Sequence, residues 1–157
     1  MNPALRSEPR FWLLPFLHSE ETCTEAAERR ELSRDEQRPL ILVADDEALI
    51  RQTIVEILRA EGFDAVGVKD GMEAVECASR LKPSVFLADV YMPRLNGIEA
   101  AKVIKDLLPR TRIICFSGHA STSGLIQAER EQGNQFEFLA KPIQPELLVK
   151  TISRKAD

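Results

Sequence analysis

Cysteine is sparse in this chain of 157 residues: Cys23, Cys77 and Cys115 are odd in number, widely spaced and form no CxxC pair. Neither a disulfide framework nor a zinc site is therefore suggested, and Cys115, inside an apolar run, reads as a small buried hydrophobe. There is no excess of basic charge. The net charge of -4 gives no reason to expect direct nucleic-acid binding. No apolar run is long enough to span a bilayer. The patch Phe11–Leu17 is short, contains Pro15 and leads into acids without a small-residue cleavage site, which argues against a secretory signal. A cytoplasmic protein with no membrane partner is the default expectation. Glycine-rich phosphate cradles are missing as well, since neither GxxxxGK[ST] nor GxGxxG occurs.

What is present is ordinary for a globular protein: 44% hydrophobic and 29% charged residues, in a length that fits one domain. Composition changes near Arg38-Pro39. Before it, the chain from Ser19 is mostly charged. Thr22 and Glu25 could form a capping box for a short helix through Leu32, but that helix would have almost no apolar face. Residues 1–38 are therefore expected to be an N-terminal extension, disordered or marginally helical, and residues 39–157 the folded domain. The Phe11–Leu17 patch could dock on the domain or on a partner, or have no role.

From Pro39 the pattern becomes regular. Buried-strand runs at Leu40–Ala44, Phe63–Val68, Val85–Ala88, Arg112–Phe116 and Phe136–Ala140 alternate with helical stripes. Ile50, Ile54, Ile57 and Leu58 mark the first helix. Ala74, Val75, Ala78 and Leu81 mark the second, and Ile98, Ala101, Ile104 and Leu108 the third. A weaker helix over 121–132 stops at Gly133-Asn134, and Pro145–Arg154 forms the last. Five strand–helix units imply a doubly wound (βα)5 α/β fold, with a five-stranded parallel sheet and helices on both faces.

In such a sheet the C-terminal ends of all strands share one edge, where open α/β sheets place their chemistry. That edge gathers Asp45 and Asp46 from the first strand, Asp89 from the third, Ser117 from the fourth and Lys141 from the fifth. Each has a plain alternative: a helix N-cap for Asp45 or Asp46, a turn for Ser117, a solvated loop lysine for Lys141. Their joint placement favours a site. Crowded carboxylates raise a pKa or demand a cation, and magnesium answers with oxygen ligands. His119 is the one histidine nearby, so no Ser-His-Asp arrangement is visible. A carboxylate beside magnesium and a lysine can accept a phosphoryl group.

These residues resemble a known family. Asp45-Asp46, Asp89 with Met92-Pro93 and Gly97, Ser117 and Lys141-Pro142 match the response-regulator receiver domain of two-component signalling, over residues 39–154. The spacings are 43 residues from Asp46 to Asp89, 28 on to Ser117 and 24 on to Lys141. Asp70–Ala74 is similar to that family's turn into its second helix. The resemblance implies a flavodoxin-like fold with Asp89 as phosphoacceptor and Mg2+ held by Asp46, by Asp45 more through water, by Asp89 and by the backbone carbonyl of Tyr91. It implies Ser117 as switch hydroxyl, Lys141 as partner of the phosphoryl group, and Phe138 at the aromatic switch position, where the alternative is a half-buried strand aromatic. Tyr91 and His119 occupy the positions that tune phosphoryl hydrolysis in the family; the alternative for His119 is a plain exposed loop residue.

The resemblance further implies a sensor histidine kinase or phosphotransfer protein as donor. With no output domain read from this sequence, a stand-alone receiver acting on a downstream protein partner is expected. The fourth helix of the domain, strand five and fifth helix would form the output surface. Two other classes remain open at this stage. A magnesium-dependent aspartyl-phosphate phosphatase would want a second acid two residues after its nucleophile, where this chain has Tyr91. A receiver-like scaffold would act without phosphorylation and would be free to lose the acids.

Overall fold

Each apolar run becomes a strand, and each stripe a helix laid over it. The computed structural model describes residues 20–33, 38–118 and 122–154. The Phe11–Leu17 patch and His119 lie outside the described residues. In chain order the elements are α1 (Cys23–Ser33), β1 (Leu40–Ala44), α2 (Ala48–Ala60), β2 (Asp64–Val68), α3 (Gly71–Leu81), β3 (Val85–Asp89), α4 (Gly97–Leu107), β4 (Arg112–Ser117), α5 (Thr122–Glu131), β5 (Glu137–Ala140) and α6 (Pro145–Ser153). All strand pairs are parallel, in the order β2-β1-β3-β4-β5. This is the doubly wound fold expected from the alternation, with element ends shifted by a residue or so. No helix among the described residues is long and apolar enough to cross a membrane.

Side-chain alternation divides the core in two. Ile41, Val43, Leu87, Ile114 and Phe116 face α2 and α6, meeting Ile54, Leu58, Leu148 and Ile152. Leu42, Ala44, Phe86, Ala88 and Cys115 face the other way, meeting Ala74, Ala78, Ala101 and Ile104. β1 and β3 are buried along their whole length, as central strands covered on both faces must be.

The helix starts and stops follow local chemistry. Asp70 caps α3 by accepting from the Glu73 N–H at 2.8 Å, and Asn96 caps α4 by accepting from Glu99 at 2.8 Å. Two glycines are required by close approach. A Cβ at Gly97 would lie 2.1 Å from the Asp89 carbonyl oxygen, and one at Gly71 would lie 2.1 Å from that of Leu95. The loop from Val90 to Asn96 is thus held between two helix starts. The Gly97 N–H donates to the Val90 carbonyl at 3.0 Å, and Arg94 pairs with Asp70 at 2.7 Å.

Of the segment before Pro39 the structure describes residues 20–33 and 38, and the helix that Thr22 and Glu25 are expected to cap lies in the first of these. Residues 20–33 are not a solvated stretch: α1 packs against β2 and α3. The capping box does form, with Thr22 N–H donating to Glu25 Oε2 at 2.9 Å and Glu25 N–H to Thr22 Oγ1 at 3.1 Å. The seam is small and polar rather than broad and apolar. Ala26 is fully buried, Cys23 lies against Cys77, and Arg29 and Arg30 reach the buried carboxylate of Asp64 at 2.8 and 2.5 Å. Burial works against charge on Asp64, but the two guanidinium groups prevail and hold its pKa below the ordinary value.

Candidate functional site

The acids converge because β1 and β3 are neighbours in register, with Ala44 opposite Ala88. Asp45 and Asp46 leave β1 just as Asp89 ends β3, at the point where connections turn to opposite faces of the sheet. One carboxylate oxygen from each of Asp45, Asp46 and Asp89 lies within 4.8 Å of the others. Asp45 and Asp89 are buried and Asp46 is exposed, so the cluster opens on one side. Neither Asp45 nor Asp46 caps α2. Its N-cap is Glu47, which makes no side-chain cap bond. Asp45 Oδ1 instead accepts from the Glu47 N–H at 2.9 Å, which turns the chain out of the strand.

β5 brings the counter-charge. Ser117 pairs with Ala140 across the sheet, and the Lys141 N–H donates to the Ser117 carbonyl at 3.1 Å. From that anchor Lys141 extends inward over the Phe116 ring, 5.1 Å from its centre, to put Nζ 3.1 Å from Asp89 Oδ2 and 3.6 Å from Asp45 Oδ2. It is not a solvated loop lysine. Pro142 follows through a cis peptide bond. Ser117 is buried at the end of β4, beside β3 and its terminal Asp89.

The electrostatics match the geometry. Burial pushes the Asp45 carboxyl up to about 6, and the charges of Asp89 and Asp46 push the same way; the Glu47 N–H and Lys141 oppose them without prevailing. Burial would lower the Lys141 pKa, but its hydrogen bond to Asp89 and the charges of Asp45 and Asp89 raise it above the usual value. Asp45 Oδ2 is fully buried and has no hydrogen-bond partner among the described residues, a condition costly unless something else completes the site. Three clustered carboxylates, one of them with an unsatisfied buried oxygen, suit a hard divalent cation such as magnesium.

The remaining expected residues fall at varied distances from this cluster. The Tyr91 N–H donates to Asp89 Oδ1 at 3.2 Å and its ring is partly exposed. Phe138 is half-buried against the core on the α3–α4 side of the sheet. One residue close to the site escaped the sequence reading. Arg51 of α2 is buried, and its Nη1 donates to the Asp45 carbonyl at 2.6 Å. An arginine on an otherwise amphipathic helix has the look of a surface residue, and no local pattern distinguishes it.

The model of the response regulator receiver domain matches residues 41–153. The chain belongs to that family. The receiver resembles the chemotaxis protein CheY of Thermotoga maritima, at 32% identity over 115 residues that cover 73% of this chain and 94% of that protein. It is also similar to the transcriptional regulatory protein PdtaR of Mycobacterium tuberculosis, at 42% identity over 105 residues, which are 65% of this chain but only 49% of PdtaR. Among solved structures, the chemotaxis protein CheY4 of Vibrio cholerae superposes with a TM-score of 0.66 at 29% identity, covering 73% of this receiver and 96% of that chain. A receiver domain of the sensor histidine kinase PA1611 of Pseudomonas aeruginosa PAO1, with a magnesium ion coordinated in its active-site cleft, superposes with a TM-score of 0.62 at 28% identity over 73% of this chain and 94% of that one. The receiver is thus a module of two-component signalling. The matched region begins at residue 41, and α1 with the acids before it lies ahead of that region.

Proposed function

We propose that this receiver accepts a phosphoryl group on Asp89 from a histidine kinase or phosphotransfer protein in the cytoplasm, and thereby alters a surface read by a downstream protein. The observation that carries this reading is the placement of Asp89: its Oδ2 lies 3.1 Å from Lys141 Nζ, and its carboxylate joins Asp45 and Asp46 in a cluster within 4.8 Å. Asp45, Asp46, Asp89 and the Tyr91 carbonyl would hold Mg2+, which supplies charge neutralisation for the transferring phosphoryl oxygens.

In the transfer, an Asp89 oxygen attacks the phosphorus of a phosphohistidine. The new O–P bond forms as the N–P bond breaks, and the electron pair returns to the imidazole nitrogen, which takes up a proton. Lys141, already hydrogen-bonded to Asp89, would pass its hydrogen bond to a phosphoryl oxygen. The Ser117 hydroxyl would bond another and so report the modification, with Phe138 following it toward the core. Tyr91 and His119 would tune the lifetime of the acyl phosphate. Repeated turnover as a phosphatase would need a group to protonate a leaving oxygen and activate water, and position 91, two after Asp89, is a tyrosine. The receiver is therefore read as a switch and not as an enzyme. The face formed by α5, β5 and α6 would be the output surface.

The deciding experiment is incubation with Mg2+ and a small phosphodonor such as acetyl phosphate, followed by intact mass. Gain of one phosphoryl group that is lost in Asp89→Asn supports the reading. Absence of any adduct, with small donors and with phosphorylated histidine kinases alike, overturns it in favour of a scaffold that acts unphosphorylated.

A further inference from the structure

The buried arginine beside the site has a second partner, which lies before the matched region 41–153. Arg51 Nε donates to Glu20 Oε2 at 2.7 Å, Nη2 donates to Glu20 Oε1, and Gln52 Nε2 adds a bond to Oε1 at 3.1 Å. The third reach of the same guanidinium is the 2.6 Å bond to the Asp45 carbonyl. Its stem is seated by Gly67 of β2, where a Cβ would lie 2.8 Å from Arg51 Cγ. Glu20 leads directly into α1, which is fixed in turn by Glu21 to Arg29 and Arg59 at 2.7 and 3.1 Å and by Arg29 and Arg30 to Asp64.

The carbonyl that Arg51 grips belongs to the peptide between Asp45 and Asp46, so its orientation governs where both carboxylates can point. A planar guanidinium bound on one side by a carboxylate fork and on the other by a carbonyl is fixed in direction. The paired Glu20 also offsets a cation that would otherwise weaken the negative potential of the three acids. We infer that Glu20 and Arg51 are positioning residues for the acid cluster, and that docking of the segment 20–33 is thermodynamically coupled to cation binding there. This rests on the proposed role of Asp45, Asp46 and Asp89 as a magnesium site. Coupling is reciprocal: if docking favours the cation, the cation favours docking by the same factor.

The test is Mg2+ binding by isothermal titration calorimetry on the full chain, comparing wild type with Glu20→Gln, Arg51→Gln and the double variant. Glu20→Gln should weaken Mg2+ binding roughly three- to tenfold, at or below the low end for partners that orient a metal ligand. Its effect should vanish in the Arg51→Gln background, since the two act through one guanidinium. Gly67→Ala, which displaces the Arg51 stem without altering charge, should weaken binding as well and serves if Glu20→Gln fails to fold. In wild type, saturating Mg2+ should slow hydrogen exchange of the α1 amides, and in Glu20→Gln it should not. A merely structural strap would change Tm and leave Mg2+ affinity alone; that result in either Glu20→Gln or Gly67→Ala overturns the inference while the magnesium reading stands. Failure of wild type to bind Mg2+ defeats both, beginning with the magnesium reading.

Discussion

Gly97→Ala tests how the backbone that carries Asp89 is held. The added methyl would sit 2.1 Å from the Asp89 carbonyl oxygen, 2.9 Å from its carbon and 3.2 Å from Val90 Cα. All three neighbours are main chain, so no side chain can rotate away, and the start of α4 must separate from the end of β3. That movement would break the 3.0 Å bond from the Gly97 N–H to the Val90 carbonyl. Overpacking of this kind costs about 1–3 kcal/mol, and rigid neighbours place it in the upper half. Alanine recovers at most ~1 kcal/mol of helix propensity, less at a first helical residue. A net loss of about 2 kcal/mol corresponds to a fall in Tm of roughly 4–8 °C for a chain of this size. Thermal unfolding followed by circular dichroism measures it, and phosphodonor labelling of the folded variant should be slower because Asp89 is displaced. Gly124→Ala is the matched control. That glycine lies in α5 with nothing among the described residues within 4 Å of an added Cβ, so the same substitution should stabilise by about 0.5–1 kcal/mol. A Gly97→Ala protein as stable as wild type would refute the reasoning.

Two further outcomes concern charge. Because Asp64 is held below its ordinary pKa, its contribution to stability is complete above that value and is lost as pH falls through the lowered one. Amide exchange in α1 should therefore accelerate below about pH 4, and Asp64→Asn should release α1 at neutral pH at a cost of about 2 kcal/mol, discounted because Arg29 is partly exposed; unchanged exchange in that variant would contradict the docking. Asp45 has the opposite sign. With its pKa raised to about 6, the folded protein binds the extra proton below that point, so metal-free stability should decline as pH rises from 4 to 6.5 and then level off. Asp45→Asn should remove most of this slope and raise the metal-free Tm at pH 7.5, read by calorimetry; a slope that survives would place the titration elsewhere.

How much of this was readable from the chain depends on the kind of pattern each part leaves. Strands such as Val85–Asp89 are covered on both faces and so appear as unbroken apolar runs, while α4 shows Ile98, Ala101 and Ile104 at helical spacing. The cluster of Asp45, Asp46, Asp89 and Lys141 was readable because a parallel sheet sends every strand end to one edge, whatever the sequence separation. The same logic placed Ser117 at the end of β4. The docking of α1 was not readable. Its fully buried apolar face amounts to Ala26, beside partly buried Cys23, and much of the rest of its attachment is arginine to a carboxylate more than 30 residues away. Ion pairs between distant positions leave no period in a sequence. Arg51 was missed for a related reason: its value lies in a backbone carbonyl, and any residue type can supply one.

A parallel sheet of five strands has two borders, at β2 and β5, and an unguarded border is a template on which another chain can add a strand. Here the two are blunted by different means. β5 is only four residues long, too short to offer much of a ladder. β2 has α1 alongside, pinned by Arg29 and Arg30 at Asp64 and by Arg59, which also donates to the Ala65 carbonyl at 2.9 Å. A helix carrying paired charges is a poor surface for strand addition, so the extension that reaches the acid site through Arg51 also shields the sheet's β2 border from self-association.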